Sequence, residues 1–124
     1  MREIEFRAKH TWDGSFVYGY LGYKANDGKY IINNGKEVNY FVDPETIGQY
    51  TGLKDKNGTK IYEGDIAKFK FKGKWVIGQI IYEYCRFAIL SKGVGYSITN
   101  IFLYKNVDCE IIGNIYDNPE LLEG

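Results

Sequence analysis

The chain has 124 residues, 44% hydrophobic and 26% charged, so it is long enough to bury a core as one soluble domain. Sixteen basic and sixteen acidic residues cancel, which excludes a global electrostatic attraction to nucleic acid or anionic membranes but leaves a local patch open. No apolar stretch approaches the roughly 20 residues of a spanning helix, and no signal-like segment opens the chain, so we expect a cytoplasmic protein.

The aromatic and glycine content predicts the fold class. Aromatic residues make up 17% of the chain, with 12 Tyr and 7 Phe, and 15 Gly stand against 2 Pro. Tyr and Phe favour the pleated surfaces of strands, and Gly supplies the positive φ that tight turns need. The composition therefore predicts an all-β, or mainly β, protein whose short strands are joined by tight turns.

The first 42 residues predict an antiparallel meander. Strand-like runs at residues 16–23, 29–33 and 37–42 are separated by turn signals, of which Asn34-Gly35 is the strongest. Asp43-Pro44-Glu45-Thr46 follows, with an Asp cap, Pro at the first helical position and room for one helical turn. We expect a single domain, residues 1–124, with a soft seam near residues 43–46.

The rest of the chain predicts a small SH3-like, partly open barrel. Strands are expected at residues 50–53, 60–62, 65–72, 75–82, 87–90, 96–99 and 109–112, with a final helical turn at 118–122. Within 65–72, alternation puts the lysines on one face and the aromatic residues on the other. The prediction of a barrel rests on the order of the elements: a Gly-Asp opening, a hairpin and further strands are the layout of small SH3-like barrels.

Three blocks of the chain resemble the YopX family of phage and prophage proteins. They are Met1–Arg7, Ile47–Ile66 with its run Ile47-Gly48-Gln49-Tyr50-Thr51-Gly52, and Ile111–Glu123. Gly19-Tyr20-Leu21 and Asp43–Thr46 are also similar to segments of such proteins. The resemblance implies a mainly β phage or prophage protein made in a bacterial cytoplasm, with homo-oligomers among the expectations. It transfers no catalytic residue and no cofactor, and its blocks of glycines, aliphatics and turn residues are typical of a scaffold.

The chain has few residues for nucleophilic or metal chemistry. His10 is the only histidine, and no serine lies in a Gly-x-Ser-x-Gly setting. Cys85 and Cys109 have no partner at zinc-ligand spacing, and in a cytoplasm a buried thiol is favoured over a disulfide. From Asp55, an EF-hand would need Gly and Glu where Lys60 and Ile66 stand, so we expect a plain turn there and no bound metal or cofactor.

Two carboxylate pairs are candidates for acid–base catalysis. They are Asp65 with Glu63, and Asp108 with Glu110, each two residues apart in strand-like sequence. The alternative is that all four are solvated carboxylates at strand ends. Given the missing nucleophiles and metal ligands, we predict that the protein is not an enzyme.

Alternating lysines beside a tryptophan form a candidate nucleic-acid surface. Basic stripes interleaved with aromatic rings are how small barrels bind single strands. The alternative is that the lysines sit on an edge strand and block unwanted pairing with another sheet. The candidate residues are Lys68, Lys70, Lys72, Lys74 and Trp75.

The surplus of tyrosine indicates a self-association surface. Tyr18, Tyr20 and Tyr23 lie among glycines in one predicted strand, and Tyr is enriched at protein interfaces. A core rich in aromatic residues is the alternative. The leading prediction is a non-catalytic phage accessory protein that binds a phage or host protein or a second copy of itself, with nucleic-acid binding as the runner-up.

Overall fold

The computed structural model describes residues 4–83, 85–92, 94–97 and 109–123. The chain divides into two compact units, Met1–Gly52 (unit 1) and Leu53–Gly124 (unit 2). The boundary falls inside a strand, and the predicted seam at residues 43–46 lies within unit 1. The single-domain organisation stays a prediction.

Eleven strands and two 3-10 turns run through the described residues. The strands are β1 Phe6–Lys9, β2 Phe16–Lys24, β3 Lys29–Asn33, β4 Asn39–Phe41, β5 Gly48–Lys54, β6 Lys60–Tyr62, β7 Asp65–Phe71, β8 Lys74–Glu83, β9 Arg86–Ser91, β10 Val94–Ser97 and β11 Cys109–Asn114. The 3-10 turns are Pro44–Thr46 and Pro119–Leu122. The mainly β class predicted from composition is confirmed. No described helix is both long and apolar enough to cross a bilayer.

Unit 1 contains the predicted meander. Strands β4, β3, β2 and β1 lie side by side in that order, all antiparallel, and β1 also pairs with β5. Strand β1 is an addition to the prediction, which began the meander at residue 16. The core on one face consists of Ala8, Ile32 and Val42, with Val17 and Leu21 packed against them.

The turn after β4 forms as its residues predict. Pro44 opens the 3-10 turn, and the Asp43 carboxylate accepts a hydrogen bond from the Glu45 N–H at 3.1 Å. The Thr46 hydroxyl donates to the Asp43 carbonyl at 2.7 Å and accepts from the Lys9 N–H at 2.8 Å. These bonds tie the turn to β1.

Unit 2 is built on an open antiparallel sheet in the order β10-β9-β8-β7-β11. Its core includes Ile61, Phe69, Ile80, Ile89 and Cys109. Within residues 53–83, 85–92, 94–97 and 109–123 this sheet does not close into a barrel, and the SH3-like comparison stays a prediction. Residues 98 and 99 of the predicted strand 96–99 lie outside the described residues.

The turn between β7 and β8 lies one residue earlier in the chain than predicted. Strand β7 ends at Phe71, which pairs with Lys74, so Lys72 and Gly73 form a two-residue turn with φ of 49° and 80°. Positive φ at both central residues is the geometry that matches the twist of the two strands. Lys72 is therefore a turn residue, and its prediction as part of strand 65–72 is wrong.

Candidate functional site

Three of the five predicted nucleic-acid residues come together on one face of the unit 2 sheet. Lys70 lies opposite Trp75 in the β7–β8 register, and Lys68 lies opposite Ile77. The Nζ atoms of Lys68 and Lys70 lie 4.9 and 5.8 Å from the centroid of the Trp75 ring, which is 51% exposed. We call Lys68, Lys70 and Trp75 the Lys–Trp patch.

The other two predicted lysines lie away from the patch. Lys74 pairs with Phe71, so its side chain belongs to the opposite face of the sheet, the one that carries Phe69. Lys72 sits in the turn, with its Nζ 5.4 Å from the Phe71 ring. The expected ridge of three lysines is thus a pair, because the strand ends one residue before the third.

The alternative explanation for the lysines, protection of a sheet edge, is wrong for the folded chain. Strand β7 has hydrogen-bonded neighbours on both sides, β8 and β11, so it is an internal strand. A carboxylate shares the patch's face: Glu110 lies opposite Lys68, and its Oε2 is 3.7 Å from Nζ of Lys56. The patch therefore has mixed charge.

The three predicted interface tyrosines divide between the two faces of the unit 1 sheet. Tyr18 pairs with Arg7, and Tyr20 pairs with Asn33, on the face opposite the core. They are 47% and 65% exposed. Tyr23 points to the other face, where its ring lies 5.0 Å from that of its cross-strand partner Tyr30. Only two of the three tyrosines can thus act on one ligand.

Cations and aromatic rings alternate around these two tyrosines. Towards β1, Arg7 and Lys9 lie over the Phe16 ring, at 4.3 and 4.6 Å from its centroid. At the other end, Lys29 and Lys24 lie over the Phe41 ring at 5.2 and 6.0 Å. We call this surface the aromatic face; it consists of Arg7, Lys9, Phe16, Tyr18, Tyr20, Lys24, Lys29 and Phe41.

Residues of the aromatic face other than Tyr18 and Tyr20 were missed in the sequence. Each ring lies on a different strand from the cations over it, so no short-range spacing in the sequence indicates the contact. One signal was present: the strand-like runs at residues 16–23, 29–33 and 37–42 are rich in Tyr and Phe, with Glu37 their only acidic residue.

Asp55, which the sequence placed in a plain turn, is a buried structural residue. Its Oδ1 accepts hydrogen bonds from the N–H groups of Asn57 and Thr59, both at 2.9 Å. Its Oδ2 accepts from the N–H of Ile111 at 2.9 Å, and the Lys56 N–H donates to the Cys109 carbonyl at 3.0 Å. Asp55 thus fastens the β5–β6 turn to β11, a role that no short-range pattern could indicate.

At the end of unit 2, asparagine side chains accept hydrogen bonds from backbone N–H groups. The Asn114 Oδ1 accepts from the N–H groups of Tyr116 and Asp117, and the Asn118 Oδ1 accepts from the N–H of Asn114. A Cβ on Gly113 would lie 2.6 Å from that Asn118 oxygen, so a larger residue there would displace the Asn118 side chain from its hydrogen bond. The side chains of Asn114 and Asn118 in this family-like block therefore stabilise the local fold.

The candidate catalytic carboxylates that the structure describes have different surroundings. Asp65 is buried, and its Oδ2 accepts from the Tyr62 N–H at 2.8 Å, across the turn that holds Glu63. Glu110 faces Lys56, and Asp108 lies outside the described residues. Asp65 therefore has a visible structural role, which its pairing with Glu63 in the sequence did not indicate.

His10 and Cys109 have ordinary packing roles. The His10 ring lies edge-on to Tyr40 at 5.2 Å, and its Nδ1 is 3.5 Å from the Asp13 carboxylate. Hydrogen bonds from Ser15, and secondarily His10, lower the pKa of Asp13. Burial, and then the Asp55 charge, raise the pKa of the Cys109 thiol to about 12. In the part of the chain described, no three His, Cys, Asp or Glu side chains converge as metal ligands would.

Comparison with known proteins places this geometry in a family. A family model described as YopX protein matches residues 5–123. The crystal structure of protein EF1440 from Enterococcus faecalis is similar, with a TM-score of 0.60 and 27% sequence identity over 99% of this chain and 100% of that one. The comparison with curated proteins gives no match.

Proposed function

This chain belongs to the YopX family, and on that premise we propose that it is a non-catalytic binding protein, a phage or prophage accessory factor of the bacterial cytoplasm. Its ligand is another protein, and its binding surface is the aromatic face of unit 1. The observation that carries the proposal is the pair Tyr18 and Tyr20, about half and two-thirds exposed on one side of a paired strand.

Strand pairing makes these tyrosines suited to binding. Within their strand β2, Tyr18 is paired with β1 and Tyr20 with β3, so the backbone that presents each of them is hydrogen-bonded before a ligand arrives. A tyrosine loses only two side-chain torsions on binding while contributing a large apolar ring and a hydroxyl group. Two such rings, two residues apart on one strand, lie about 7 Å apart and can share one partner.

The test compares tyrosines on the two faces. Tagged protein with Tyr18→Ser and Tyr20→Ser is used to capture partners from phage-infected bacteria, beside wild type and Tyr23→Ser. Tyr23 is a matched control because it is 58% exposed but lies on the other face. We expect a partner band with wild type and Tyr23→Ser that the double variant loses. Equal capture by all three proteins would refute the assignment.

Nucleic-acid binding by the Lys–Trp patch is the second candidate. What favours it is that β7 is internal, so Lys68 and Lys70 have no edge to protect, and that both converge on the exposed Trp75. Against it stands Glu110, on the same face. Aromatic stacking with nearby cations is the chemistry that single strands require.

A salt titration separates this candidate from the first. Single-stranded DNA is titrated into wild type, Lys70→Glu and Lys74→Glu at several salt concentrations. If the patch binds DNA, affinity falls as salt rises, and Lys70→Glu lowers both affinity and salt slope, whereas Lys74→Glu, on the opposite face, changes them little. No binding at low salt would rule the candidate out.

A further inference from the structure

We propose that the aromatic face binds an extended acidic protein segment, an inference that rests on the proposed function and specifies the ligand's chemistry. The starting observation is charge. Strands β1 to β4 contain no Asp or Glu, and their charged residues are Arg7, Lys9, Lys24 and Lys29. All four lie on the aromatic face, over the rings of Phe16 or Phe41.

The cations form two groups with the tyrosines between them. Arg7 and Lys9 lie with Phe16 at the start of β2, and Lys24 and Lys29 lie with Phe41 at its end. Eight residue steps along β2 separate these ends, which is about 26 Å at about 3.3 Å per residue. A ligand that meets both groups therefore has carboxylates on each side of an apolar or aromatic centre, which an extended segment of about eight residues supplies.

A second copy of this chain fits the face poorly. Face-to-face pairing about a twofold axis would bring Lys9, Lys24 and Lys29 against the same basic surface of the partner. Like charges placed together at an interface cost affinity and suppress that pairing. Homo-oligomers, if formed, are expected to use another surface.

Single-stranded nucleic acid also fits less well than an acidic segment. Base stacking needs open ring faces in succession, but Phe16 and Phe41 are half-buried and have the protein's own cations over them. Lys24 and Lys29, unlike the buried Arg7, are exposed and can meet a carboxylate. Such a lysine is already placed by its ring, so less side-chain entropy is lost when the carboxylate arrives.

The test uses labelled peptides and matched charge changes. Fluorescence anisotropy measures binding of an extended peptide of about ten residues with Glu at both ends and Tyr-Leu at its centre, beside the same peptide with Gln for Glu. Lys29→Glu is compared with Lys74→Glu, since Lys74 is exposed but belongs to the β7–β8 hairpin of unit 2 and not to the aromatic face. We expect binding of the Glu peptide that weakens with salt, falls about tenfold in Lys29→Glu and changes less than about twofold in Lys74→Glu.

Several outcomes would overturn the acidic ligand. They are equal binding of the Gln peptide, equal effects of the two lysine substitutions, absence of binding at low salt, and tighter binding of a ten-nucleotide single-stranded DNA that Lys29→Glu weakens. Tyr20→Ser distinguishes this failure from failure of the proposed function. If Tyr20→Ser weakens binding of the Glu and Gln peptides alike, the aromatic face binds protein segments but does not prefer acidic ones.

Discussion

The aromatic face of unit 1 and the Asp55 region of unit 2 use polar groups in opposite ways. Around Asp55, one carboxylate accepts three backbone hydrogen bonds, from Asn57, Thr59 and Ile111, and is itself buried. On the aromatic face, cations lie over rings and tyrosines point to solvent. The Asp55 carboxylate is buried in its contacts with the protein, whereas Tyr20, Lys24 and Lys29 are exposed where a ligand could reach them.

The difference shows where activity should be sought. The strongest family-like runs, Ile47–Ile66 and Ile111–Glu123, include Asp55, Gly113 and Asn118, whose contacts hold turns and strands together. The aromatic face lies between Arg7 and Phe41, outside those two runs, and only Arg7 and Tyr20 of its residues belong to other family-like segments. A motif can therefore identify an architecture while the surface available to a ligand lies elsewhere. Four predictions test this contrast.

The largest effect of a single substitution at neutral pH is expected from Gly19→Ala in unit 1. Gly19 has φ of 151°, and a Cβ there would overlap the Asn33 carbonyl oxygen, a backbone atom that cannot move aside. We expect unit 1 to lose more than about 3 kcal/mol of unfolding free energy. Gly14→Ala is the control, since its φ is also positive but no atom lies within 4 Å, and it should cost about 1 kcal/mol. Hydrogen exchange resolved by peptide reports the two units separately.

Asp55→Ala should destabilise unit 2 by about 3 kcal/mol. The substitution leaves three N–H groups without their acceptor, of which that of Ile111 lies in β11. Asp43→Ala removes an exposed carboxylate that accepts one hydrogen bond and should cost about 1 kcal/mol. Chemical denaturation measures both. Similar losses in the two variants would mean that Asp55 is no more than another turn cap.

Stability at high pH should depend on Cys109. Its thiol is held protonated in the folded chain by a pKa of about 12, so above the ordinary thiol pKa of about 8.5 the unfolded chain loses its proton first. The unfolding free energy should therefore fall as pH rises between about 8.5 and 12, by up to about 1.4 kcal/mol per pH unit. The slope attributable to this group is the difference between wild type and Cys109→Ala. Identical slopes would contradict the prediction.

The smallest effect is expected from Glu110→Gln on the mixed-charge patch. Exposed ion pairs such as Lys56–Glu110, at 3.7 Å, contribute less than about 1 kcal/mol, so thermal denaturation should change little. Binding measurements on Glu110→Gln compare the Lys–Trp patch with the aromatic face. If the Lys–Trp patch binds DNA, removing this carboxylate raises affinity, whereas ligands of the aromatic face are unaffected.

The sequence predicted the repeating parts of the fold well. Composition indicated the β class, and turn chemistry located the meander, the Asp43 cap and most strands. Strand β1 was missed because four residues, Phe6–Lys9, are too few for a clear alternation. The strand containing Lys72 was drawn one residue too long because Lys72 itself adopts the positive φ that its turn needs, a conformation expected of Gly73 alone.

The candidate sites were predicted less completely because they depend on pairing between strands. The alternation of Lys68 and Lys70 was visible, but the side of the sheet on which Lys74 falls depends on its register with Phe71. Likewise, the cations over Phe16 come from β1, and the third hydrogen bond of Asp55 comes from residue 111. Such contacts follow from topology, which a single sequence does not specify.

The internal position of β7 has a consequence for synthesis of the chain. Its neighbour β11 is translated after every other strand, so a nascent chain that has already paired β7 with β8 still exposes the other side of β7. During that interval Lys68 and Lys70 border an open backbone ladder and discourage its capture by other nascent chains. When Cys109–Asn114 has been synthesised and pairs with β7, it closes this side of the strand, and Ile111 donates its N–H to Asp55.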